Sequence, residues 1–209
     1  DVAPFSLGIM SRNETAHGAI EGAFVPIIER NTTIPASRSQ YFSTLQNDQR
    51  IISIRVYQGE APLAQDNMKL GQVEAGVPPS PAGQETVEVR FSYDVNGLLE
   101  VDVTSMTTKV TQSIVIEGGA KTLSPADRNA SLSRLKKLKM HPKEQSENQE
   151  LIEKLNELFV MHLSEDRQFV SGLLAQFMSA LDTQDPSKIE KARAQVKAQC
   201  EALSGNYVK

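Results

Sequence analysis

The apolar residues of this chain recur with one period up to Gly118-Gly119 and with another from Ser124 onward. In the first part they fall on every second position. Val87, Val89, Phe91 and Tyr93 alternate with Glu88, Arg90 and Ser92, and Leu99, Val101 and Val103 alternate with Glu100, Asp102 and Thr104. Successive side chains of a strand point to opposite faces, so such runs read as strands with one apolar face. In the second part the spacing is three or four, as in Leu151, Leu155, Leu158, Phe159 and His162, which puts the apolar groups on one stripe of a helix. The change of period implies an α+β chain with segregated elements: an antiparallel β-sandwich of about eight strands followed by an α-helical bundle. The domains are expected at residues 1–119 and 120–209.

Residues 4–9 alternate, with Phe5, Leu7 and Ile9 on one side. Residues 10–22 are polar and glycine-bearing and read as a loop. Residues 24–28 resume a short strand, and Pro26 within it predicts an edge or a bulge, because proline lacks the N–H a central strand needs. Residues 30–59 hold two β-type runs around a polar turn at residues 46–49. In the second run Ile52, Ile54 and Val56 share one face, and Ser53, Arg55 and Tyr57 the other. Residues 61–68 read as a loop, 69–73 as a short strand, and the Pro/Gly-rich 76–83 as irregular. Asp94-Val95-Asn96-Gly97 is a hairpin turn in which Asn and Gly can take positive φ. Residues 110–117 form the last strand.

Ser124-Pro125-Ala126-Asp127 reads as an N-cap with Pro at the first helical position and an acid in the first turn. Pro142 ends or kinks this helix. Ser164 is expected to cap a third helix carrying Phe169, Leu173, Phe177 and Leu181. Asp185-Pro186 starts a fourth, with Ile189, Ala192, Val196 and Leu203 inward. Each stripe is one-sided, so the helices pack on one another.

Several function classes find no support. Residues 1–119 hold 8 Lys/Arg against 14 Asp/Glu and residues 120–209 hold 14 against 12, so neither part is basic enough for nucleic acid. Lys136, Lys137 and Lys139 read as a solvated helix face. No apolar run approaches the ~20 residues of a membrane span. No signal-peptide pattern follows Asp1, which reads as the start of a fragment of a longer protein. Cys200 is the only cysteine, without a nucleophile motif, and reads as a packed thiol of a reducing compartment. His17, His141 and His162 have no ligand spacing, so no metal is expected. No Gly-x-Ser-x-Gly elbow or phosphate-binding loop occurs, so the segment is expected not to be an enzyme, with no catalytic residues and no cofactor of its own.

One set of motifs is specific. Arg30-Asn31-Thr32-Thr33-Ile34-Pro35 is followed by Ser39-Gln40-Tyr41-Phe42-Ser43-Thr44, then Asp48-Gln49, then Gln58-Gly59-Glu60. Asp1-Val2-Ala3-Pro4-Phe5-Ser6-Leu7-Gly8-Ile9 precedes them. Leu70-Gly71-Gln72, Gly76-Val77-Pro78-Pro79-Ser80-Pro81 and the run from Val87 through Asn96-Gly97 to Val101 follow in order. Together they resemble the substrate-binding domain of DnaK-type heat-shock chaperones, a β-sandwich with a C-terminal helical lid. Pro26-Ile27-Ile28-Glu29-Arg30-Asn31 and the short tail look most like the HscC branch. Between its first two strands the chain is longer than the family usually is.

The resemblance implies a molecular chaperone that binds extended apolar segments of unfolded clients in protein folding and the stress response. Pocket positions fall on Ile9, Ser11, Phe42, Ile52, Ile54 and Val87. Polar or backbone peptide contacts fall on Ser43 and Gln49, and Leu45 falls where a residue arches over the peptide; its partner in the arch lies within residues 10–23. Where the family latches its lid with an acid and an arginine, this chain has Asn47 and Ala82. ATP and Mg are implied in an ATPase domain before Asp1, which would control affinity. A J-domain co-chaperone, self-association through the pocket and a cytoplasmic location are also implied, with no nucleic-acid or membrane partner. The alternatives are a chaperone-like interaction scaffold with a vestigial pocket, an adhesion or carbohydrate-binding sandwich, and a hydrolase.

Overall fold

A computed structural model describes residues 1–15, 18–118, 124–139 and 142–205. Eight strands come first: β1 (Leu7–Thr15), β2 (Gly18–Ile28), β3 (Ala36–Ser43), β4 (Ile51–Gln58), β5 (Met68–Gly76), β6 (Thr86–Tyr93), β7 (Leu98–Ser105) and β8 (Thr111–Glu117). Four α-helices follow: α1 (Pro125–Leu138), α2 (Ser146–Met161), α3 (Ser164–Asp182) and α4 (Pro186–Gly205). The α+β expectation therefore holds. The strands form two antiparallel four-stranded sheets, in the orders β2-β1-β4-β5 and β3-β6-β7-β8.

The core lies between the sheets and is built from the alternating positions. Ile52, Ile54 and Val56 of β4 meet Val87, Val89 and Phe91 of β6 and Leu99, Val101 and Val103 of β7 in one buried cluster. Pro26 sits on β2, at the edge of its sheet, where a missing N–H is tolerated. Opposite it, Gly8 is required: a Cβ there would strike the Val25 carbonyl, with Pro26 Cα at 2.8 Å. In the β6–β7 turn only Gly97 takes positive φ, at 78°. Asn96 keeps negative φ and donates from Nδ2 to Ser131 Oγ of α1 at 3.0 Å.

Three local expectations need correction. Residues 10–22 are not a loop. β1 and β2 run on as an antiparallel hairpin, paired Ser11↔Ala23, Asn13↔Ile20 and Thr15↔Gly18. Two paired strands satisfy each other's backbone groups without the one-sided apolar pattern that reveals a core strand, so the sequence pattern is silent there. Ser164 is the first helical residue of α3 and Leu163 holds the N-cap position. Phe169 leaves the α3 stripe and is 46% exposed, while Val170 is fully buried.

The chain divides into two compact units, residues 1–139 and 140–209. In the first, α1 covers the outer face of the β3-β6-β7-β8 sheet. Leu98 and Leu135 are both fully buried. Ser124 caps the helix, its Oγ accepting from Asp127 N–H at 3.2 Å. In the second, Leu151, Leu155 and Leu158 of α2 pack with Leu173, Phe177 and Leu181 of α3 and Ile189 and Val196 of α4. Arg167 stands 4.7 Å from the Phe159 ring centroid. Asp185 caps α4, its Oδ1 accepting from Ser187 N–H at 3.0 Å. His162 is the buried C-cap residue of α2. His17 and His141 lie outside the described residues.

Candidate functional site

The nine singled-out residues fall into a floor and a rim. Ile9, Ile52, Ile54 and Val87 are floor: all belong to the buried cluster between the sheets, and Phe42 packs against it half-buried. Strand register explains this. Ile9 stands opposite Val56, Ile52 opposite Ala75 and Ile54 opposite Val73, while Phe42 on β3 stands opposite Val87 on β6. Period-two alternation turns each of these side chains inward.

Leu45, Ser43, Gln49 and Ser11 form the rim. Leu45 is 63% exposed just past the end of β3. Its position is held by Gln49, whose Oε1 accepts from Leu45 N–H at 3.0 Å and from Gln46 N–H at 3.3 Å. Gln49 Nε2 in turn donates to the Ile51 carbonyl at 2.8 Å. Gln49 thus spends its amide on the loop rather than presenting it outward. Ser43 is exposed and its Oγ lies 3.2 Å from Thr86 Oγ1. Ser11 is half-exposed on β1, two residues beyond Ile9, the last residue that β1 pairs with β4.

Further residues fix this rim, and sequence reasoning missed Glu85 and Thr107 among them. Thr44 N–H donates to the Glu85 carbonyl at 2.9 Å, and Gly83 N–H donates to the Thr44 carbonyl at 2.8 Å. Asp48, at positive φ, donates its N–H to the Ser80 carbonyl at 2.9 Å. The buried Glu85 carboxylate accepts from Ser80 Oγ at 2.9 Å and from Thr107 Oγ1 at 2.7 Å. Ala82 N–H donates to Asn47 Oδ1 at 2.9 Å. Asn47 and Ala82, which the resemblance aligns with a charged latch, are thus bonded to each other within the rim. For Glu85 the only signal in the sequence is an acid at the start of an apolar strand.

Other motif residues lock loops. Glu60 accepts from Ser6 N–H at 2.8 Å, and Arg30 N–H donates to Ser6 Oγ at 3.0 Å. Asn67 Oδ1 accepts from Ala61 N–H at 2.9 Å, and a Cβ on Gly59 would collide with that same amide.

Electrostatics concentrate under α1. Asp94 is fully buried, and Arg134 donates to it from Nη2 at 2.7 Å and Nε at 3.3 Å. Burial alone would raise the Asp94 carboxyl; the hydrogen bonds from Arg134, Ser131 and Val95 N–H and the Arg134 charge outweigh it, so the group titrates below the usual range. Lys139 reaches Glu100 at 2.8 Å and Asp102 at 2.6 Å. Burial would lower its ammonium, but Asp102 and Glu100 hold it above the ordinary lysine value. The expected solvated face of Lys136, Lys137 and Lys139 therefore loses Lys139, which is clamped between two carboxylates. Burial pushes the Cys200 thiol up, with Glu201 adding to this and Lys154 opposing, so it is poorly suited to act as a nucleophile. Among the described residues no group of three or more His, Cys, Asp or Glu could hold a metal ion, and no helix is long and apolar enough to cross a membrane.

Among the described residues this geometry offers apolar burial beside fixed backbone and no reactive constellation. Comparison with known proteins agrees with the motifs. The model of the family described as Hsp70 protein matches residues 1–208. A protein named "Chaperone protein DnaK" from Thermosipho africanus (strain TCF52B) is 38% identical over 159 residues, covering 76% of this chain and 25% of that protein. One of the same name from Thermosipho melanesiensis (strain DSM 12029 / CIP 104789 / BI429) shows the same identity and coverage. The chain spans about a quarter of the length of these curated relatives. The match also overturns the expectation that the protein is not an enzyme, since Hsp70/DnaK homologues are ATPases. With the family model covering nearly its whole length, this chain belongs to the Hsp70 family.

Proposed function

We infer that this chain is the substrate-binding part of an Hsp70-type chaperone and holds extended apolar segments of unfolded clients. One observation carries the reading. An apolar floor (Ile9, Ile52, Ile54, Val87, with Phe42) is combined with an exposed Leu45 on a loop tied down by Gln49. An extended peptide needs an apolar pocket for a side chain and fixed backbone for its own N–H and C=O groups. Burying one Leu-like side chain contributes roughly 1.5–3 kcal/mol, and each backbone hydrogen bond about 1 kcal/mol. Association and ordering remove a large part. The remainder fits micromolar affinity, about −8 kcal/mol, which suits a partner that is released.

The full protein then carries an ATPase domain, with ATP and Mg bound there, whose state controls affinity, and it works with a J-domain co-chaperone in the cytoplasm. Residues 120–209 serve as a helical lid subdomain. The wording Pro26-Ile27-Ile28-Glu29-Arg30-Asn31 favours the HscC branch. The test is an anisotropy titration of a labelled Leu-rich peptide, with a glycan panel as the control. Micromolar, saturable peptide binding is expected. No binding up to millimolar peptide would favour the scaffold with a vestigial pocket, and glycan binding would favour the adhesion class.

A further inference from the structure

The β6–β7 turn carries chemistry that peptide binding does not use. Of the asparagines in the chain, Asn96 alone is followed by glycine. An asparagine side-chain amide is open to attack by the backbone nitrogen of the next residue, and a glycine there has no Cβ to hinder it. Asn96 is also exposed to the water that completes the reaction. Two bonds hold the pair. Gly97, at φ 78°, donates its N–H to the Asp94 carbonyl at 3.0 Å. Asn96 Nδ2 donates to Ser131 Oγ of α1 at 3.0 Å. The far end of that second bond is saturated. Ser131 is fully buried. Its oxygen accepts from Asn96 and, at 3.0 Å, from Arg134 Nη2, and its proton goes to the Asp94 carboxylate. A hydroxyl has a single proton to give and two lone pairs to accept with. The site therefore takes a donor at position 96 and has no proton left for an acceptor. Arg134, the cation beside it, is already committed through Nε and Nη2 to the buried Asp94.

We propose that Asn96 is a self-modifying site, kept as the amide while α1 is seated on the sheet, and that its conversion to a carboxylate irreversibly weakens the seat of that helix. In the reaction the Gly97 nitrogen loses its proton and bonds to Asn96 Cγ. The Cγ–Nδ2 bond breaks, and Nδ2 leaves as ammonia with the proton that Gly97 lost. Water then opens the cyclic imide at either carbonyl, leaving aspartate or the isomer whose main chain runs through the side chain. Water is the co-reactant, and nothing is oxidised or reduced. Both products fail at Ser131. A carboxylate only accepts, so it meets the Ser131 lone pairs instead of donating to them, and it adds a second negative charge beside Asp94. The isomer also lengthens the main chain inside a turn that Asp94 N–H closes on the Leu98 carbonyl at 2.9 Å. While α1 is seated, the amide is bonded to it. When α1 lifts, the amide is released to turn onto its own chain. The site thus becomes a one-way record of helix opening.

The experiment incubates the full chain, its Ser131→Ala variant and a short peptide of residues 91–101 side by side at mildly alkaline pH. Peptide mapping by mass spectrometry follows the aspartyl and isoaspartyl products at each asparagine. At Asn96 the peptide should react fastest and the unaltered chain slowest, the two differing by at least about tenfold because the chain reacts only when locally open. Ser131→Ala should react about fivefold faster than the unaltered chain, the worth of one lost hydrogen bond, with the other asparagines unchanged. Equal rates in peptide and chain overturn the proposal, as does a folded Ser131→Ala variant no faster than the chain. A second arm makes the product directly. In Asn96→Asp, hydrogen exchange of the α1 amides should quicken about tenfold while β4 and β5 keep their protection. Unaltered α1 exchange shows that the carboxylate does not loosen the helix and overturns the proposal. The peptide comparison and the Asn96→Asp arm decide the matter even where Ser131→Ala folds poorly.

Discussion

Leu45 separates binding from folding, and Leu45→Ala is the sharpest test of the rim. Fully covering a leucine side chain contributes roughly 1.5–3 kcal/mol. Leu45 is 63% exposed, so a bound peptide gains only by covering that exposed share. After allowing for the methyl that alanine keeps, the loss is about 1 kcal/mol, or roughly fivefold in Kd. Stability should hardly move. The loop is fixed through the Leu45 backbone N–H to Gln49 Oε1 and through Thr44, not through the leucine side chain. Exposed substitutions of this kind stay within about 0.5 kcal/mol, which is at most ~2 °C in Tm for a domain of this size. The assay is anisotropy with a labelled Leu-rich peptide, paired with a thermal melt. An unchanged Kd would remove Leu45 from the site. A melting temperature lowered by several degrees would show that the side chain supports the fold, and the separation argued here would be wrong.

Ile52→Phe should behave differently: Ile52 is buried in the sandwich core, so overpacking by about 1–3 kcal/mol lowers Tm as well as weakening peptide binding about tenfold; unaltered affinity would move the pocket elsewhere. The Asp94 carboxyl titrates below its unfolded value, so the support it gives to α1 is present above pH about 4 and is lost as pH falls through its lower folded value. Hydrogen exchange should show α1 amides opening in acid, and Asp94→Asn should abolish that pH dependence; a step that persists in the variant would place its origin in another group. Lys139 titrates above its ordinary value and has the opposite sign, so its contribution is complete below pH about 10 and declines above it. Deleting residues 140–209 should change the peptide off-rate by no more than about fivefold, the scale of an exposed ion pair, because Asn47 and Ala82 are bonded to each other and supply no latch charge; a much larger acceleration would show that the lid is held by other contacts.

What the sequence revealed follows from where its pattern has a cause. Val87, Val89 and Phe91 alternate because one face is buried, and all three are fully buried. The hairpin arm of β1 and β2 was invisible because its strands need only each other's backbone. Arg90 and Ser92 alternate as an outward face should, yet both are buried. Arg90 donates to Ser37 and Ser39 Oγ at 3.3 Å and pairs with Glu88 at 2.7 Å. Their burial depends on α1 folding back over that sheet, which no local pattern encodes. Lys139 was misjudged for the same reason, since its partners Glu100 and Asp102 lie far away in sequence. The floor was legible through motif order, but the polar ties of Thr44, Asn47 and Glu85 are single residues without a period.

The division into floor and rim bears on which residues can tune affinity. Ile9, Ile52, Ile54 and Val87 close the space between two sheets, so any sandwich of this shape would keep them apolar whether or not it bound a peptide. Their presence alone cannot distinguish a working pocket from a vestigial one. The rim can. A single exposed leucine is ordinary on a protein surface, but Leu45 stands on a loop whose N–H groups at Thr44, Leu45, Gln46 and Asp48 are all bonded. Its position is set before any partner arrives, so the entropy of ordering the loop is not charged to binding. Removing that order with Gln49→Ala would leave floor and leucine in place and still weaken binding. Affinity left unaltered by Gln49→Ala would favour the scaffold with a vestigial pocket instead.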